Sequence, residues 1–514
     1  MRKILLLLSC AAALALSSTA AAAPFFGVAE DEGKSPADAG LAFFSTLKDI
    51  GLSANRITIL WDPAAPNQIP NKASLDVWMP QATISGVRVM FAVYPAHARD
   101  ITSSPDANAQ FASFLQQLAQ AYPQVQDFIV GNEPNLSRFW QPQFNADGSG
   151  ASGAAYEAFL AQSYDALKAV DPSIRVIGLG LSPRGNDDAN ASSNISTSPV
   201  RFLHDVAAAY KASGRTKPLM DELAFHPYPN QNTDPLSRGY LWPNAGLVNL
   251  DRIKQAVWDG FNGSGQPVFA QAGRAESAAG ATLKLDLDET GWQVGVLGNL
   301  VGLYFGKESV PTIDEATQAS IYADVVKLVS CDSSIRSLNF FHLIDEKNLD
   351  RWQSGFLRAD GTRRPAYDAV KNAIAQSANG CTAKPASFTP ETDVQGPKVG
   401  FGNLSKPKWW KETYWSFVAG AKEQATFRAG IFRVKAGKAA IRRALAVSGA
   451  AKPVLTAKGN IKANSTRLVR FPARRLQPGS YVYGIKISAA MNAQRSNVFV
   501  SKPFKVGKPA KKRR

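Results

Sequence analysis

Eight short runs of β-branched and aromatic residues, each followed by a longer stretch with helical spacing of apolar residues, fill the chain from Pro24 to about Lys384. The expected strands are Phe25–Ala29, Arg56–Trp61, Arg88–Tyr94, Asp127–Gly131, Arg175–Leu181, Glu222–His226, Leu283–Asp288 and Ser337–Leu343. Between them, sets such as Phe111, Phe114, Leu115, Leu118 and Tyr122 recur at the three- and four-residue steps that gather one face of an α-helix. Strands alternating with helices pair in parallel, and eight such units fit a (β/α)8 TIM barrel with enlarged loops over residues 23–384. An open doubly wound sheet is the competing arrangement. It carries a glycine-rich phosphate turn after its first strand, where this chain reads Glu30-Asp31-Glu32-Gly33. Several of the runs are apolar throughout, as strands covered on both faces must be.

After Cys381 the pattern changes. Residues 385–400 contain Pro385, Pro390, Gly396 and Pro397 with little periodicity and read as a linker. From there alternation replaces helical spacing: Tyr481, Tyr483, Ile485 and Ile487 take one face, Val482, Lys486 and Ser488 the other. With similar runs at Phe427–Val434, Ile441–Val447, Leu468–Phe471 and Asn497–Phe504, residues 401–507 are expected to form a small all-β sandwich, followed by a basic tail at 508–514. Charge divides the chain at the same place. From residue 385 onward there are 27 Lys and Arg against 4 Asp and Glu, whereas the region before it is mildly acidic. Contact with polyanions is therefore expected of the second domain alone.

The N-terminus sets the compartment. Met1-Arg2-Lys3 precedes an apolar run from Ile4 to Leu16 and an Ala-rich zone, which reads as a signal peptide over residues 1–22. The run falls short of the ~20 residues that a membrane span needs, and no later segment is apolar enough to be one. The expected location is outside the cell or on the cell wall. Removal of Cys10 leaves Cys331 and Cys381, an even pair that reads as a disulfide in an oxidising compartment, two unpaired thiols being the alternative. Both fall near the N-terminal ends of strands, away from the barrel face that carries chemistry.

Two carboxylates stand out. In Phe128-Ile129-Val130-Gly131-Asn132-Glu133-Pro134 an apolar strand ends in a Glu, and Pro134 stops the ladder just beyond it. In Leu283-Lys284-Leu285-Asp286-Leu287-Asp288-Glu289-Thr290-Gly291-Trp292 the seventh unit does the same. Strands four and seven lie nearly opposite in an eight-membered ring, so Glu133 and Glu289 are expected to face one another across the C-terminal mouth. A carboxylate pair of that kind is what glycoside hydrolysis requires, as an acid and either a nucleophile or a base. Asp286 and Asp288 share one face of the seventh strand and point to the barrel interior or to the helices. Trp61, Trp140, Trp242, Trp292 and Trp352 fall at strand ends or in the following loops, where indole faces suit sugar rings, although about half are expected only to pack the loops. Glu30-Asp31-Glu32 reads as a solvated acidic loop, and His97, His204 and His342 as structural or rim residues. No metal-ligand spacing or phosphate loop occurs, so no metal or cofactor is expected.

Over residues 25–380 the chain resembles clan A of the glycoside hydrolases, the retaining group that includes families 5 and 39. The resemblance rests on Asn132-Glu133-Pro134 together with Glu289. It implies that Glu133 is the general acid/base, Glu289 the nucleophile and Asn132 the ligand of the substrate 2-hydroxyl. It also implies that Arg56, near strand two, and His226-Pro227-Tyr228, after strand six, hydrogen-bond the nucleophile. Two features depart from the clan. Many members end strand eight in a Trp, where this chain reads Phe340-Phe341-His342-Leu343-Ile344-Asp345 and Trp352 arrives later; and Arg56 opens its apolar run rather than closing it. Expected substrate-binding residues are thus Arg56, Asn132, His226, Tyr228, Trp140, Trp292 and Trp352. The expected activity is double-displacement cleavage of O-glycosidic, β-configured bonds in a poly- or oligosaccharide. The alternative is a carbohydrate-binding barrel without catalysis, anchored to an acidic cell-wall polymer. For the basic domain an acidic cell-wall polymer, an acidic polysaccharide or a membrane surface is expected as partner, and export argues against nucleic acid. Trp409, Trp410 and Trp415 among Lys406, Lys408 and Lys411 form its densest local cluster.

Overall fold

The computed structural model describes residues 23–269, 282–378, 380–381, 399–401, 414–421, 425–433, 452–462, 465–472, 476–489 and 496–506. The expected signal peptide, most of the linker, the run Ile441–Val447, the Trp409–Trp410 cluster and the basic tail lie outside those residues.

Eight parallel strands close into a barrel in sequence order: β1 (Phe25–Ala29), β2 (Ala54–Trp61), β3 (Arg88–Pro95), β4 (Asp127–Val130), β5 (Arg175–Leu181), β6 (Glu222–Phe225), β7 (Lys284–Thr290) and β8 (Ile335–Phe341). They alternate with α1 (Leu41–Ile50), α2 (Lys72–Ile84), α3 (Ala107–Ala121), α4 (Ser152–Val170), α5 (Pro199–Ser213), α6 (Leu250–Phe261), α7 (Glu315–Ser330) and α8 (Pro365–Ser377). The fold is a TIM barrel, and each expected strand is present, β1 and β5 with the expected bounds and the others with ends displaced by at most two residues. Local chemistry sets the helix ends. Ser198 caps α5 by accepting from the Arg201 N–H, Pro199 opens it, and Gly214 closes it in the left-handed region. Asp314 caps α7 in the same manner through the Thr317 N–H at 2.7 Å.

The strands use their two faces differently. Phe91, Val93, Phe128, Val130 and Val176 pack outward among the helices in the large core. Inside the barrel the apolar layer is thin and made of small or slender groups: Ala54, Met90, Ala92, Ile129, Ile177 and Ala224. Below it, at the N-terminal ends, lies a charged floor. Arg336 bridges Asp127 at 3.1 Å and Asp286 at 2.9 Å and also pairs with Glu222, while Arg88 and Arg175 hold Asp127 from outside. Burial, reinforced by the neighbouring Asp286, pushes the Glu222 carboxyl up to about 10. The floor is structural, because active sites of this fold open at the opposite end.

Cys331, which ends α7, is disulfide-bonded to Cys381 beyond α8, closing a sequence separation of 50 residues. The bridge ties together two packed helices far from the mouth. Replacing both cysteines by serine is expected to lower stability by about 2–5 kcal/mol through the freed loop entropy of the unfolded chain. Denaturant titration should register that loss while kcat of the folded protein stays unchanged.

Among the described residues, eight further strands are antiparallel: β9 (Val399–Phe401), β10 (Tyr414–Ala421), β11 (Ala425–Arg433), β12 (Leu455–Ile461), β13 (Ser465–Pro472), β14 (Gly479–Ala489), β15 (Ser496–Val500) and β16 (Phe504–Val506). One sheet has the order β13-β10-β9, the other β12-β11-β14-β15 with β16 beside β14. Their inner faces share one core, in which Phe417 of the first sheet meets Tyr483 of the second with ring centroids 4.7 Å apart. This is the expected all-β sandwich, with one adjustment: the last residues of the expected linker, Val399 and Gly400, are already strand. Trp415 is core rather than surface, 5 % exposed and packed on Phe504.

Candidate active site

Glu133 stands three residues past the end of β4, on a backbone bent by two consecutive needs. Gly131 has φ 98° and Glu133 φ 41°, so the chain turns sharply as it leaves the ladder. A side chain at Gly131 would strike the Tyr156 ring at 2.9 Å, so only glycine fits there. Tyr156, from α4, explains the crowding: its hydroxyl donates to the Val130 carbonyl and accepts from the Leu179 N–H at 2.7 Å, stitching the ends of β4 and β5. The Glu133 N–H in turn donates to the Gly180 carbonyl at 2.8 Å. Glu133 is thereby aimed by the backbone of a neighbouring strand rather than by a free loop.

Glu289 arrives by a different device. Between Leu287 and Thr290 the register of β7 against β8 shifts, three residues on β7 spanning what two span on β8. An extra residue in one strand is a bulge, and a bulge breaks the alternation of faces. Asp288 and Glu289, consecutive in sequence, therefore both reach the barrel mouth.

A tight network joins them. Nδ1 of His226, just past β6, lies 3.1 Å from Glu133 Oε1 and 3.5 Å from Glu289 Oε2, and its Nε2 lies 3.1 Å from Asp288 Oδ1. Arg56 Nη2 donates to Asn132 Oδ1 at 2.8 Å and pairs with Glu289 Oε1 at 2.9 Å, while its Nε faces Asp288 at 3.3 Å. The Tyr228 hydroxyl donates to Glu289 Oε2 at 3.0 Å. Burial alone would strip the charge from His226, but Asp288 and Glu289 outweigh it and hold the imidazole protonated well above its ordinary value. The same competition, won by Glu289 and Asp288, keeps Arg56 charged. His226 and Arg56 in turn hold Asp288 below the usual carboxylate range against its burial. Burial and the adjacent Glu289 and Glu133 push the Tyr228 phenol well above its ordinary value, so it remains a donor.

The structure thus brings Glu133, Glu289, Arg56, Asn132, His226 and Tyr228 into one site. Arg56 reaches the mouth although it is only the third residue of β2, because barrel strands are staggered: it pairs with Ala29, the last residue of β1. Trp352 also arrives. Its ring lies 4.9 Å from that of Tyr228 and 5.7 Å from that of Phe341, so the loop after β8 returns an indole beside the strand end that lacks one. Trp140 and Trp292, expected at the substrate, are corrected. Each is 2 % exposed, Trp140 against Tyr156 and Phe159 and Trp292 against Tyr322, with no free face for a sugar. Trp61 is likewise core, edge-on to Phe111.

Sequence reasoning left out Asp288 as a site member and did not see Phe341 as an aromatic wall. It also took Glu30 as solvated, whereas Glu30 is buried and accepts from the N–H groups of Glu32, Leu343 and Ile344. His342 sits between Glu30 and Glu346, 3.6 Å from each. Burial opposes its charge, but the two carboxylates prevail and raise it to about 10. Among the described residues no group of three or more His, Cys, Asp or Glu is arranged to hold a metal ion, and no helix is long and apolar enough to cross a membrane.

No family model matches this chain, and no curated protein matches it in sequence. Solved structures do resemble it. A family 39 glycoside hydrolase from Bacteroides cellulosilyticus WH2 aligns over 87 % of this chain and 81 % of its own, with 14 % identity and a TM-score of 0.47. A family 5 subfamily 18 glycoside hydrolase from Streptomyces cattleya aligns over 71 % and 82 %, with 16 % identity and a TM-score of 0.44. A monomeric β-xylosidase from Caulobacter crescentus CB15 aligns over 91 % and 98 %, with 14 % identity and a TM-score of 0.41. At such distances the overlays bear no weight for function, which rests on the geometry of the mouth.

Proposed function

We propose that this chain is a retaining glycoside hydrolase, exported through residues 1–22, in which Glu289 is the nucleophile and Glu133 the general acid/base. One observation carries the reading: a single nitrogen of His226 contacts an oxygen of each glutamate. The two oxygens cannot lie farther apart than the sum of those contacts. That limit on one oxygen of each accommodates the ~5–5.5 Å carboxyl separation of retaining enzymes. The resemblance to clan A supplies the β configuration of the bond.

Hydrogen bonding divides the roles. Glu289 pairs with Arg56 on one oxygen and accepts from Tyr228 on the other, which aligns it for attack. Glu133 has the His226 contact alone. In the first step a Glu289 oxygen bonds to the anomeric carbon as the glycosidic C–O bond breaks, and the Glu133 proton passes to the leaving oxygen. In the second, Glu133 as carboxylate takes a proton from water, the water oxygen bonds to the anomeric carbon, and the bond to Glu289 breaks. Asn132, its carbonyl held by Arg56, keeps its NH2 for the substrate 2-hydroxyl, and Trp352 offers a ring face. The basic domain at 401–507 would hold the enzyme near an acidic polymer.

The test is stereochemical. A panel of plant, fungal and bacterial polysaccharides and aryl β-glycosides identifies a cleaved substrate by reducing-sugar or phenol release. Proton NMR then follows the first hemiacetal formed, which is expected to be the β anomer. An α anomer appearing first would replace the double displacement by direct water attack.

A further inference from the structure

The outer face of the five-stranded sheet carries a row of cations for which no described residue supplies a carboxylate partner. Antiparallel register sets Arg428 of β11 directly opposite Lys458 of β12 on one side and directly opposite Lys486 of β14 on the other. Residues directly opposite share a face, and neighbouring strands are about 4.8 Å apart, so the three cations form one row across three strands. Arg428 and Lys458 are exposed and Lys486 is half-buried. Like charges placed directly opposite are destabilising. From residue 401 to the C-terminus the sequence holds two carboxylates, Glu412 and Glu423, and neither belongs to these strands. The next row along is Asn460, Thr426 and Ser488, which are small and uncharged; Asn460 and Thr426 are exposed and Ser488 is buried.

We propose that the row Lys458–Arg428–Lys486 binds an acidic polysaccharide bearing a carboxylate on each sugar. The spacing between strands is about the length of one pyranose residue, so successive carboxylates meet successive cations, and the central Arg428 offers a planar fork that a carboxylate accepts bidentately. Among the described residues, neither the row nor its Asn460–Thr426–Ser488 flank presents an aromatic ring, and Phe432, whose ring lies over Gly430 on the other flank, is buried, which favours a sugar acid over single-stranded nucleic acid. The inference rests on the reading of the second domain as a contact for acidic polymers. It is independent of catalysis in the barrel, because its test reads binding alone.

The full chain is titrated with polygalacturonate at low and moderate salt, in parallel with anionic phosphatidylglycerol vesicles and duplex DNA. The triple variant Arg428→Gln, Lys458→Gln, Lys486→Gln is compared with a charge-matched control, Lys452→Gln, Lys462→Gln, Lys502→Gln, whose side chains are exposed elsewhere. The row variant is expected to lose at least ~10-fold in affinity for polygalacturonate, with the slope of log K against log salt reduced by about two, by analogy with counterion release on single strands. The control should change little. Equal losses in both would mean diffuse net charge and overturn the row, as would wild-type binding to vesicles or DNA without binding to polygalacturonate. Should the row variant not fold, acetylation of wild type decides instead. Lys458 and Lys486 should be protected by polygalacturonate while Lys452 and Lys462 are not, and uniform reactivity would overturn the assignment. Loss of hydrolysis in Glu289→Gln with polymer binding intact would separate this surface from the site in the barrel.

Discussion

Glu289→Gln is expected to lower kcat by on the order of 10⁴-fold or more on every substrate, including those with good leaving groups. The amide keeps the shape of the carboxylate: its oxygen still faces Arg56, and its NH2 donates to the Tyr228 hydroxyl oxygen, so the loss is chemical rather than structural. What disappears is the anion that bonds to the anomeric carbon. Two further readouts make the assignment specific. A slowly turned-over 2-fluoro glycoside should leave a sugar ester on the peptide containing Glu289, detectable by mass spectrometry. In Glu289→Gly, added azide should restore turnover by entering the vacated space and yield the α-glycosyl azide. An unchanged kcat in Glu289→Gln, or a sugar ester on Asp288, would transfer the role. Asp288 is the one rival within reach, but it is fully buried and already held by both Arg56 and His226. Those ion pairs fit it to fix the two cations in place rather than to attack.

How much of this was legible in the sequence depended on whether a position is set by the strand itself or by the geometry around it. A parallel barrel strand delivers its C-terminal residue to the mouth, so Glu133 and Glu289 were readable from an apolar run ending in a carboxylate. His226 and Tyr228 were readable too, because β6 ends immediately before them. Three things were hidden. Stagger between β1 and β2 decides that Arg56 is level with the mouth, and stagger is a property of closure that one strand's pattern does not encode. The bulge in β7 decides that Asp288 joins Glu289, and no glycine or proline marks it. Loop course decides the tryptophans: Trp140 folds back on Tyr156 and Phe159 of α4, whereas Trp352 returns to Tyr228. In the second domain β12 escaped notice because its inner face offers only Leu455, Ala457 and Ile461 between Lys458, Gly459 and Asn460, too weak an alternation to read.

Glu133→Ala is expected to show an effect whose size depends on the leaving group. For a sugar or alkyl leaving group, which needs a proton as the bond breaks, kcat/KM should fall by about 10²- to 10⁴-fold. For an activated aryl glycoside, whose phenolate leaves unaided, the first step should be nearly unchanged. The second step then lacks its base, so a burst of phenol gives way to slow turnover. Azide should accelerate that turnover and give the β-glycosyl azide, the opposite anomer to that from Glu289→Gly, because it attacks the glycosyl ester from the side Glu133 occupied. His226 is not the expected donor: Asp288 and Glu289 keep the imidazole protonated well above its ordinary value, so it holds its proton through the neutral range. Undiminished cleavage of poor leaving groups in Glu133→Ala would place the acid elsewhere at the mouth. His226 would then be the first candidate, because it is the one proton donor already in contact with both glutamates.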